Sequence, residues 1–240
     1  MIACDCAVCR SPDARDKRLR ASIYVETPEA AWVVDTGADF RTQALRADIR
    51  RLDAAVFTHS HTDHIMGFDD LRRFSAFRGS MPIYAPAQTM TDLRRVFRFA
   101  FEEPGKYPWY LTPEPHIVDG PFTLGATLLT PLPVPHGEDV VYGYLFSRGG
   151  EKLVAYLSDC SALPDETAQT IEGVRVLIID ALRHKPHPTH LSVAEAIDAA
   201  SRVRSQRTYF THVAHELPHA AEGELPPNTY IAYDGLKLEL

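Results

Sequence analysis

Within the stretch THSHTDHIMG three histidines and an aspartate, His59, His61, Asp63 and His64, fall in six positions. Imidazole is the commonest metal ligand and titrates near neutral pH, so such a cluster suits ion binding or proton transfer. His59 and His61 lie two apart and point the same way in extended backbone, while Asp63 and His64 follow in the turn into a helix and face a second point. Four nitrogen and oxygen donors divided two and two suit a pair of borderline divalent cations. The competing reading is a polar loop of satisfied histidines, yet nothing structural requires so many imidazoles together. A second group opens the chain: MIACDCAVCR carries Cys4, Cys6 and Cys9, and only Cys160 follows. CxCxxC spacing without a secretory leader reads as thiolates held for a metal rather than as disulfides.

These groups need elements to hold them. Apolar, β-branched runs end in polar turns at Ser22 to Glu26, Ala31 to Asp35, Ala54 to Thr58, Val141 to Ser147, Leu153 to Ser158, Val174 to Asp180 and Thr208 to Thr211, which predicts strands there. Helical spacing appears over Asp39 to Ile49, Thr91 to Glu103, Pro164 to Ile171 and Ser192 to Val203. Glu103 to Pro121, dense in proline and aromatics, reads as a long shaped loop. The histidine cluster therefore follows a buried strand, where α/β folds place chemistry. With 240 residues and 45% hydrophobic content, one α/β domain over 1–240 is expected. No run approaches the ~20 apolar residues of a membrane span, so a cytoplasmic protein is expected. Lys and Arg number 25 against 32 Asp and Glu, a formal charge of −7, which disfavours extended binding to nucleic acid.

HSHTDH matches the HxHxDH signature and resembles the metallo-β-lactamase superfamily. The resemblance implies a four-layer αββα sandwich, two mixed sheets flanked by helices, with a dinuclear metal site along one sheet edge. It implies His136 in PVPHGEDVVYGYLF as the third histidine, Asp159 in LVAYLSDCS as the bridging acid and His212 in RTYFTHVAH as the last histidine. His59, His61 and His136 would then hold one ion, Asp63, His64 and His212 the other, with Asp159 between them. Ions about 3.5 to 4 Å apart would carry a bridging hydroxide and offset charge on a phosphate oxygen; zinc or manganese is the expected metal. Cys160 reads as a small buried filler. Asp35, at a strand end before Thr36 and Gly37, would orient a metal-bound histidine, or is a turn acid.

CDCAVCRSPDARDKRLRAS, VVDTGADFRTQ, GFDDLRRF, YLSDCS and LRHKPHPTHLSVAEA look like the branch of PhnP-type cyclic phosphodiesterases. That likeness implies a structural zinc on Cys4, Cys6, Cys9 and His215, making residues 1–20 a zinc segment. It also implies His190 as the proton donor to the leaving group, beside Asp63 and Asp159 in the catalytic set. Arg183, His184 and Lys185 share its loop and either contact a substrate phosphate or form a solvated basic turn. Residues 71–115, with Arg72, Arg73, Arg94, Arg95 and Arg98, read either as a lid or as an amphipathic helix packing Val96, Phe97 and Phe101 inward. Family members carry a short strand before the cysteines, so either that first strand is absent here or the native chain starts upstream of Met1. The expected reaction is hydrolysis of a small cyclic phosphodiester such as 5-phosphoribosyl 1,2-cyclic phosphate. The alternatives are tRNA 3′-end processing, thioester or lactam hydrolysis, and a catalytically dead metal-stabilised binding module. A homodimer is left open.

Overall fold

The computed structural model describes residues 1–103, 107 and 109–240; Pro104, Gly105, Lys106 and Pro108 of the expected 71–115 lid lie outside the described residues. The chain forms two compact units, Arg20–Leu128 and the combination of Met1–Leu19 with Leu129–Leu240.

In the unit Arg20–Leu128 the strands are β1 (Ile23–Glu26), β2 (Ala31–Val34), β3 (Ala54–Val56), β4 (Met81–Ala85), β5 (Pro113–Ile117) and β6 (Phe122–Leu124). The first five form one sheet in the order β1-β2-β3-β4-β5, with β1 antiparallel to β2 and the other pairs parallel. Strands covered on both faces read as unbroken apolar runs, and every residue of β2 and β3 is buried. Val33, Ala55 and Ile83 share a core with Phe57, Phe68, Leu93 and Phe97. The Phe68 ring stacks on Phe97 at 4.7 Å and on Phe101 at 5.8 Å. The helix expected over Thr91 to Glu103 begins at Ala87 and breaks at Phe97, giving Ala87–Val96 and Arg98–Glu102. Phe97 packs inward as expected, but Val96 is exposed because it falls on the outer face. The loop expected over Glu103 to Pro121 contains β5. Its Pro113 and Pro115, two apart, share one side of an edge strand, where a missing N–H costs no ladder bond.

The other unit takes in β7 (Thr127–His136) from Leu129 onward, then β8 (Asp139–Arg148), β9 (Glu151–Leu157), β10 (Val176–Asp180), β11 (Arg207–Thr211) and β12 (Thr229–Ile231). Their sheet order is β12-β11-β10-β9-β8-β7. β8 and β9 are antiparallel across a turn of Gly149 and Gly150, both at positive φ, while β9 to β12 run parallel. The carboxyl ends of β9, β10 and β11 therefore share one edge and lead into Asp159, Asp180 and His212. Helix Val193–Val203 starts with a capping box. Ser192 Oγ accepts from the Glu195 amide, and the Glu195 carboxylate accepts from the Ser192 amide. Its apolar face, Val193, Ala196, Ala199 and Val203, joins Leu177, Ile179 and Phe210 in the core. Among the described residues no helix is long and apolar enough to cross a membrane.

Candidate metal centre

In the unit Arg20–Leu128 the metal-ligating candidates are organised by Asp35, fully buried and at φ 63° just past β2. Its carboxylate accepts from the Thr58 amide at 2.9 Å, the Thr58 hydroxyl at 2.8 Å and His64 Nδ1 at 2.8 Å. Because the Thr58 proton goes to Asp35, His59 Nδ1, 2.9 Å from Thr58 Oγ1, is the donor there. One carboxylate thus fixes the tautomer of His64 directly and of His59 through Thr58, and turns both Nε2 atoms to ligand duty, as metal-binding histidines require. His59 Nε2 faces His61 Nδ1 at 3.0 Å, close to the ~3.3 Å separation of two imidazole nitrogens on a tetrahedral zinc. Asp63 Oδ2 lies 3.8 Å from His64 Nε2. Two glycines let this turn close: a Cβ on Gly37 would stand 2.1 Å from the Asp63 carbonyl, and one on Gly67 2.3 Å from the Gly37 carbonyl. The Ser60 hydroxyl donates to Asp92 at 2.7 Å, tying the loop to helix Ala87–Val96.

In the other unit His136, Asp159 and His190 present ligand atoms within 4.8 Å of one another. His136 Nδ1 donates to the Thr189 carbonyl at 2.7 Å, leaving Nε2 for a ligand. The Asp159 carboxylate lies 4.0 Å from His136 Nε2 and 3.4 Å from His212 Nε2. The His190 ring stacks on His212 at 4.8 Å, and its Nδ1 sits 2.7 Å from Asp180 Oδ2. Asp180 was not among the sequence candidates. It closes the strand VLIID, fully buried, and burial pushes its carboxyl well above the usual range against the pull of His212. The same oxygen accepts the Cys160 amide at 3.1 Å, and Cys160 is a buried filler as expected. Arg183 is engaged by Glu216 at 3.0 Å, and His184 is exposed in the same loop.

Cys4, Cys6, Cys9 and His215 also converge, all four ligand atoms within 4.8 Å. His215 Nδ1 is 3.4 Å from both Cys4 Sγ and Cys6 Sγ. Zn–S bonds of about 2.3 Å and Zn–N bonds of about 2.05 Å at tetrahedral angles give about 3.6 Å for that edge, so the donor set fits zinc. The Cys9 amide, with the His215 ring, lowers the Cys6 thiol to about 6, which favours the thiolate a metal needs.

Residues 32–213 match the family described as the beta-lactamase superfamily domain. A crystal structure described as a new diphosphatase from the PhnP family is 41% identical, with a TM-score of 0.91, covering 99% of this chain and 90% of that one. The chain belongs to the metallo-β-lactamase superfamily, in its PhnP branch. This metallo-β-lactamase-fold chain is also 34% identical, over 98% of its length, to an octanoyltransferase of Porphyromonas gingivalis. It spans about half of that curated relative, 48%. Zinc-bound PqqB from Methylobacterium extorquens shares the fold at 19% identity and a TM-score of 0.77, over 100% of this chain and 95% of that one. The α/β class with two mixed sheets and flanking helices, expected from the sequence, is the fold of this superfamily.

Proposed function

We propose that this metallo-β-lactamase-fold hydrolase cleaves a small phosphodiester, preferably a cyclic one. In this reading His59, His61, Asp63, His64, His136, Asp159 and His212 hold two divalent ions, zinc or manganese. The superfamily's dinuclear pattern supports assigning the two sets of donors to shared ions, and the hydrogen bonds that the rings donate to Asp35, Thr58 and the Thr189 carbonyl support each set's ring orientation. Such ions, when bound, lower the pKa of water and offset charge on a phosphoryl oxygen. The chain's own residues supply the rest. Asp35 keeps His59 and His64 in the ligating tautomer, and the Thr189 carbonyl does the same for His136.

The observation that carries the reading is His190, whose Nδ1 is held at 2.7 Å by buried Asp180 while its ring stacks on His212. Burial alone favours the neutral form of Asp180, and an imidazolium 2.7 Å away favours its carboxylate; as that ion pair the two groups leave the Nε2 proton to be given to a departing oxygen. Such a donor matters when the leaving group is a basic alkoxide, as in opening a cyclic phosphodiester. A diphosphate is the second reading, favoured by the PhnP-family diphosphatase. Its phosphate leaving group is far less basic and gains less from an acid. Octanoyl transfer belongs to the name of a protein about twice this length. The test is His190→Ala with metal content held fixed. Turnover of alkyl phosphodiesters is expected to fall about 10²- to 10⁴-fold, while nitrophenyl esters lose little; equal loss on both would remove the general-acid role.

A further inference from the structure

Residues 13–19 supply no ligand in this reading, yet they are closely anchored. The Asp13 carboxylate caps the turn Ala14–Asp16 by accepting from the Arg15 amide at 2.9 Å. The turn delivers the Asp16 and Arg18 side chains, 6% and 12% exposed, against the loop that follows β11. Arg18 Nη1 donates to the Leu217 carbonyl at 2.8 Å and to the Ala214 carbonyl at 3.4 Å, while Nη2 reaches Asp16 Oδ1 at 3.3 Å. That Asp16 oxygen also accepts the His219 amide at 2.7 Å, and the Leu19 amide donates to Asp234 at 3.2 Å. The anchored backbone groups at 214, 217 and 219 bracket His215 on both sides, and Ala214 follows His212 by two residues.

A guanidinium is a rigid fork of donors with no acceptor and stays charged at any working pH. Once buried, it demands acceptors at fixed positions, and here two of them are loop carbonyls that no helix or strand would otherwise hold. We infer that Arg18, seated on Asp16, is a positioning residue for the loop that supplies both His212 and His215, and sets its shape before any ion binds. The clasp stands on these contacts alone; its consequence, retention of zinc, rests on the proposed ligand set Cys4, Cys6, Cys9 and His215.

Hydrogen exchange of the peptide covering 214–219, in the full chain stripped with a chelator, separates the two. The wild-type His219 amide is expected to stay protected without metal. Arg18→Met is expected to speed its exchange about 10- to 100-fold, the loss of hydrogen bonds to a charged group. Arg18→Lys, which keeps the charge and fewer donors, is expected to fall between them, and it serves alone if Arg18→Met does not fold. Stripped wild-type protein exchanging as fast as Arg18→Met, or either variant exchanging at the wild-type rate, would overturn the inference. In zinc-loaded protein, Arg18→Met is expected to release zinc to a competing chelator faster by a similar factor; an unchanged rate would refute the link to zinc. Zinc content unaltered in Cys6→Ser would instead sink the ligand assignment and leave the exchange result standing.

Discussion

At the scale of single residues the chemistry depends on which ring nitrogen each histidine presents. Asp35 and the Thr189 carbonyl settle this for His64, His59 and His136, and Asp180 settles it for His190. Asp180→Asn should preserve the fold but remove the carboxylate. Turnover of alkyl esters is then expected to fall about 10²- to 10⁴-fold with metal content unchanged, measured by steady-state kinetics beside metal analysis. Cys6 gives a pH prediction. Its folded thiol lies at about 6, below the ordinary ~8.5, so the thiolate's contribution in the metal-free chain is complete above ~8.5 and is lost as pH falls through about 6. Alkylation of Cys6 in stripped protein should therefore show a midpoint near pH 6. The candidate metal-ligating clusters were legible because grouped imidazoles and thiols are rare, and the side chains do converge. Asp180 was not, because an aspartate closing a strand looks like any strand-end acid. Thr189 acts through its carbonyl, which no side chain announces.

At the scale of elements, close approach and capping hold the candidate groups in place. Gly37 meets the turn that carries Asp63 so tightly that a methyl would overlap the Asp63 carbonyl. Gly37→Ala should accordingly lower the melting temperature and weaken metal retention together, because the displaced atoms are backbone. Ser192→Ala removes the cap of helix Val193–Val203 two residues past His190, and should cost about 1 kcal/mol in denaturant unfolding. β2, β3 and the central strands of the other sheet were legible as apolar runs with polar ends. β5 and β7 were not. Pro113 and Pro115 in one, and Pro131, Pro133 and Pro135 in the other, carry the signature of loops, and only their spacing of two keeps them on one side of a strand. The break at Phe97 likewise has no local signal, since neither glycine nor proline marks it. It reflects packing, with Phe97 and Phe101 both drawn onto Phe68.

At the scale of the whole molecule, each compact unit carries its own set of candidate ligands: His59, His61, Asp63 and His64 in one, and His136, Asp159 and His212 in the other. The expected chemistry requires both, so losing donors from either unit should abolish turnover. His61→Ala is expected to lose active-site metal, whereas Cys6→Ser should lower stability and zinc content first. The most direct measurement is turnover by the metal-loaded protein across one panel: a 1,2-cyclic ribose phosphate, a 2′,3′-cyclic nucleotide, a dinucleoside diphosphate, an octanoyl thioester and a lactam. The predicted result is metal-dependent opening of a cyclic phosphodiester, fastest of the set. Metal-dependent turnover confined to the diphosphate, the thioester or the lactam, or two bound ions with no hydrolysis at all, would contradict it.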